Sequence, residues 1–154
     1  MTDRAVNLKR TLLAFWAVWF TVVFATNLFD AAKAANLLPE AWAVASGNYR
    51  YIVETTSRYG TPQWTNVLLF LGVLCWEGIA TTMFWLACWR YRGKGIGGQT
   101  VYAAFFWGLT LWAAFLVADE VFIAYAVEAT HLRLFTAQLV TLVAIEVLPE
   151  ERRA

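Results

Sequence analysis

The sequence predicts an all-α membrane protein: a four-transmembrane-helix bundle with a long outer loop that holds an interfacial helix. Three observations predict it. Hydrophobic residues make up 60% of the 154-residue chain and charged residues only 15%, where soluble domains carry about 25% charged residues. The apolar residues gather into four runs, about 11–29, 64–89, 101–127 and 132–148, each long enough to cross about 30 Å of hydrocarbon as a helix. The formal net charge is +1, which excludes the charge-rich balance of a disordered chain and leaves no general field to attract nucleic acid. One integral membrane domain over 1–154 follows, with no room for a soluble catalytic module beside it.

The first run, Thr11 to Phe29, carries no charge and follows Arg4, Lys9 and Arg10. A secretory signal is the rival reading, since Ala32-Lys33-Ala34 imitates a cleavage site. The run exceeds the usual 7–15-residue signal core, so an uncleaved anchor is expected. The second, Trp64 to Trp89, is interrupted once, by Glu77. It ends at Arg90, Arg92 and Lys94 among Gly93, Gly95, Gly97 and Gly98, a turn composition. The third, Val101 to Val127, has eighteen uncharged residues before Asp119 and Glu120, and a tight connection is expected around Glu128 to His131. The fourth runs from Leu132 to Leu148, carries Arg133 and Glu146 near its ends, and is stopped by Pro149.

Placing both termini and the Arg90–Lys94 turn on one side puts eight basic residues there and four opposite. The positive-inside bias then favours cytoplasmic termini. It leaves the 34-residue Asp30–Gln63 segment outside. Within that segment Leu38 to Thr56 mixes apolar residues with Glu40, Arg50 and Glu54, as an interfacial helix does.

Glu77 is the most informative residue. A carboxylate at mid-membrane costs several kcal/mol unless neutralised or paired, so it must face other helices, protonated and hydrogen-bonded to one of them. A purely structural acid and a working one both fit. Asp119 and Glu120 point about 100° apart on a helix and must be treated separately. Either can pair with Arg133, and Asp30, at the same side, can join them. His131 is read as a plain polar loop residue, and Glu146 as a solvated charge near Arg152 and Arg153. Ala104 and Gly108 form a small-xxx-small pair that admits a neighbouring helix. Trp42, Trp64, Trp85 and Trp89 suit membrane interfaces. Trp76, Trp107 and Trp112 lie deeper, so each N–H needs an acceptor or a partner. Trp107 and Trp112, about 140° apart, are expected to reach another chain or lipid.

Cys75 and Cys88, thirteen residues apart on one helix, cannot bridge, and a single histidine supplies neither a two-histidine haem site nor a three-histidine zinc site. Nucleotide-binding glycine loops, Ser/His/Asp sets and HExxH helices are missing. No catalytic residue, metal or cofactor is therefore expected; lipid contacts are.

The order Asn27 with Asp30 closing the first helix, a long loop, Trp76-Glu77, then Gly108, Trp112, Glu120 and Phe122 resembles a bacterial family of predicted small integral membrane proteins of unknown function. Ala118-Asp119 and Val121 depart from that pattern around the acid. The resemblance implies four spans in a bacterial inner membrane. Two function classes follow from the residues. One is a non-catalytic accessory subunit packed against other membrane subunits of an electron-transfer or transport complex. The other is a small transporter or proton-conducting bundle using Glu77 and Glu120. Quinone or haem binding jointly with a partner ranks third.

Overall fold

The computed structural model describes residues 2–92 and 98–149. Among them are five helices: α1 (Thr2–Ala34), α2 (Asn48–Ser57), α3 (Gln63–Arg90), α4 (Gly98–Phe122) and α5 (Tyr125–Val147). All but α2 are long and apolar enough to cross a membrane, so the chain is a multi-pass membrane protein. Lys94 and the glycines 93, 95 and 97 of the expected turn lie outside the described residues, as do Arg152 and Arg153.

Neighbouring spans pack in chain order, α1 on α3, α3 on α4 and α4 on α5. At the end of the bundle that holds the N-terminus, α5 also reaches α1, where the Trp16 indole donates to Thr141 Oγ1 at 3.2 Å. Antiparallel neighbours are evident from the pairs Phe20–Phe84 and Asn27–Glu77, in which the α3 number falls as the α1 number rises.

Seven residues turn a helix through about 700°, within about 20° of two full turns, so heptad-spaced residues share a face. That spacing organises the interior. Phe20, Phe84 and Trp112 meet at the centre, with Phe20 stacked on both rings at 5.4 and 5.8 Å. One heptad towards the N-terminal end lie Leu13, Tyr91 and Phe105, all buried. One heptad towards the α2 end lie Asn27, Glu77 and Asp119, also buried. The α5 residues Ile145, Gln138 and His131 follow the same spacing. The interior is thus apolar around Leu13 and Phe105 and polar around Asn27, Glu77 and Asp119, with the buried Lys9 one turn beyond Leu13 at the N-terminal end.

The helices α1 and α5 begin nine and seven residues before the expected spans, and two of the helix ends that differ from expectation are set by caps. α1 stops at Ala34 because Asn36, at φ 58°, forms a left-handed cap in which Leu37 N donates to Ala32 O and Asn36 N to Lys33 O. The third span ends at Phe122, not Val127. Ile123 takes the same cap at φ 54°, with Ala124 N donating to Asp119 O and Ile123 N to Glu120 O. Glycine usually fills that position, and a β-branched residue there gives no sequence signal. Consequently Glu128 and His131 belong to α5 and not to a loop.

A helix does form inside the Leu38–Thr56 stretch. The buried Asp30 carboxylate accepts from Tyr49 N at 2.8 Å and Ser46 Oγ at 3.2 Å, tying the start of α2 to the end of α1 and placing negative charge where a helix N-terminus favours it. Thr56 Oγ1 donates to Asn66 Oδ1 at 2.8 Å, fastening the other end to α3. The Tyr59 hydroxyl donates to Val121 O at 2.7 Å, holding the following turn against α4.

Candidate functional site: a polar layer inside the bundle

Glu77 is 2% exposed, two turns of α3 from Phe84 on the same inward face. Its Oε1 accepts from Asn27 Nδ2 at 2.7 Å, and Asn27 Oδ1 accepts from Asn48 Nδ2 at 2.8 Å. Both amides donate towards the carboxyl, so a hydrogen-bonded chain runs from the first turn of α2 to the membrane interior. Asn27 is 1% exposed and Asn48 is exposed. Glu77 Oε2 is buried with no hydrogen-bond partner among the described residues.

The other half of the layer joins α4 and α5. Asp119 Oδ2 lies 2.6 Å from His131 Nδ1, with the Asp119 side chain 6% and the His131 side chain 20% exposed. The imidazole stacks on Phe115 at 4.8 Å and on Trp112 at 6.2 Å. The expected partner of Asp119, Arg133, is exposed instead, as is Glu120. The reason is angular. Glu120 sits about 100° round α4 from the inward-facing Asp119, and Arg133 about 200° round α5 from His131, so both turn outward. Asp30, expected to join this pair, caps α2. Reading His131 as a loop residue failed for the same reason as the third-span boundary, the unsignalled stop at Ile123.

Trp112 is 3% exposed and inside the core, not at an interface. Trp107 is half-buried: its ring meets Trp76 edge to face, and its carbonyl accepts the Trp76 indole N–H at 3.1 Å. Trp85 donates to Thr21 Oγ1 at 3.0 Å, while Trp42, Trp64 and Trp89 are exposed. Of the small pair, Ala104 lies in the apolar core and Gly108 faces Gln138 of α5 so closely that a Cβ there would stand 2.5 Å from Gln138 Oε1. Cys88 is buried, Cys75 is exposed, and both are free. Glu146 is exposed near the end of α5. Among the described residues no cluster of three histidine, cysteine or acidic side chains is placed to hold a metal.

Sequence reading missed Asn27 as the partner of Glu77, Asn48 as the next link, and Gln138. The signal for two of them was present in the heptad spacing to Phe20 and His131. Compared with protein-family models, with curated proteins and with solved structures, the chain matches none.

Proposed function

We propose that the chain is a proton-handling helix bundle of a bacterial inner membrane, with both termini cytoplasmic and Glu77 as the group that takes up and releases the proton. One observation carries the reading: Glu77 is held inside the bundle by an amide chain that leads to α2 and occupies only Oε1. The second oxygen is left to bind a proton, and an ionisable group within a span marks an ion or proton path by default. Asp119–His131 supplies a second titratable pair in the same layer and replaces Glu120 in this role. A layer of buried apolar side chains, Leu13, Phe105 and Ile145, separates the polar layer from the buried Lys9 at the N-terminal end. The proton therefore enters from the α2 side, and no covalent chemistry is required of the chain.

Proteoliposomes loaded with a pH-sensitive dye test the assignment. After an acid pulse under an imposed potential, the wild-type protein should acidify the lumen faster than Glu77→Gln, which keeps shape and hydrogen bonding without a releasable proton. Wild-type rates equal to those of protein-free liposomes would overturn it.

A second reading, the non-catalytic accessory subunit, is favoured by a different feature. Thr81, Thr82, Trp85, Leu86 and Trp89 line an open groove of about 360 Å³ on α3, and this reading seats a helix of another membrane subunit there. Purification in mild detergent distinguishes the readings: stoichiometric partner chains support the subunit, a monodisperse homo-oligomer the proton bundle.

A further inference from the structure

Three buried side chains carry polar atoms that find no partner among the described residues: Glu77 Oε2, Trp112 Nε1, and both Nε2 and Oε1 of Gln138. Gln138 is 0% exposed and Trp112 3%. A primary amide stripped of water with none of its hydrogen bonds made is among the costliest arrangements an interior can hold. Such groups are normally met by ordered water, which needs a polar site with two to four partners.

These atoms are not scattered. Gln138 lies against Gly108, one turn of α4 from Trp112. The Trp112 ring touches both layers, stacking on Phe20 at 5.8 Å and on His131 at 6.2 Å. Glu77 and Asp119 stand one heptad, about 10 Å, beyond Phe84 and Trp112. The indole N–H is a donor, the amide offers donors and an acceptor, and Glu77 Oε2 takes either part according to its proton.

We propose that a short file of water molecules occupies the bundle between the aromatic and polar layers, bridging Gln138 and Trp112 to Glu77 and to the Asp119–His131 pair. Water is the guest because the lining offers both donors and acceptors, and a water molecule serves either. Its role, delivering protons between Glu77 and the Asp119–His131 pair, rests on the proton-handling reading; its presence does not.

Hydroxyl-radical footprinting of the full chain in lipid nanodiscs tests it, because radicals made from bound water oxidise the side chains beside it. Trp16 is the internal control: it is equally buried at 2% exposure, but its N–H is satisfied by Thr141. Trp112 should be oxidised severalfold faster than Trp16, with the label drawn from ¹⁸O-water. In Gln138→Leu the Trp112 rate should fall to that of Trp16. Gln138→Met serves if the leucine variant does not fold. Equal rates for Trp112 and Trp16 in the wild type, or a Trp112 rate unchanged by the substitution, would overturn the water file. Loss of proton uptake in Glu77→Gln with equal tryptophan rates would remove the file and leave the functional reading standing.

Discussion

The link between Asn27 and Glu77 can be measured as a coupling energy. Asn27→Leu removes the donor to Glu77 Oε1 and the acceptor for Asn48 Nδ2. Hydrogen bonds between membrane helices contribute about 0.6 kcal/mol on average and about 1.7 at most. Stranding the buried partner adds about 1–3 kcal/mol, and Glu77, whose other oxygen lacks a partner among the described residues, would lose the one side-chain donor it has among them. The single substitution should therefore cost about 2–4 kcal/mol. Glu77→Leu loses the same bond and strands Asn27 Nδ2, so by the same sum it should also cost about 2–4 kcal/mol. In the double variant neither group is stranded, so its cost should fall short of the sum by at least about 1 kcal/mol. Equilibrium unfolding in mixed micelles titrated with sodium dodecyl sulfate, followed by helical circular dichroism, gives all four corners of the cycle. Additivity within about 0.5 kcal/mol, the behaviour of sites that share no interaction, would refute the reasoning. The two residues would then merely be neighbours.

Three further outcomes follow from the same geometry. Ile123→Gly should stabilise the bundle by about 0.5–1 kcal/mol, because a left-handed residue with a Cβ costs roughly 1–2 kcal/mol and glycine returns part of that as unfolded-state entropy; a raised midpoint in the same unfolding titration checks it. His131→Phe keeps the stacking on Phe115 and Trp112 but strands the Asp119 carboxylate, so it should cost about 1–3 kcal/mol, more than Asp119→Asn, which still offers His131 an acceptor; the order of the two unfolding midpoints is the readout. Single cysteines replacing Lys94 and Arg50, in a background without Cys75 and Cys88, should label from opposite sides of intact cells, with position 50 outside; outside labelling of position 94 reverses the proposed orientation.

Composition and periodicity by themselves determined that this is a four-span helical membrane protein, because a bilayer demands long runs of apolar side chains with every backbone group satisfied inside a helix. They also singled out Glu77, since a charge in such a run must be turned inward whatever the neighbours are. Partner choice was another matter. Asp119 reaches His131 and not Arg133 because the helix stops at an isoleucine in a left-handed cap, which no residue type announces. That stop rotates α5 so that position 131 faces inward and 133 does not. Likewise Asn27 meets Glu77, and Asp30 caps α2, only because α1 and α3 pack antiparallel with Phe20 seated between Phe84 and Trp112. Apolar pattern is set residue by residue against lipid, whereas polar pairing depends on the rotation and register of one helix against the next, and those are decided by packing.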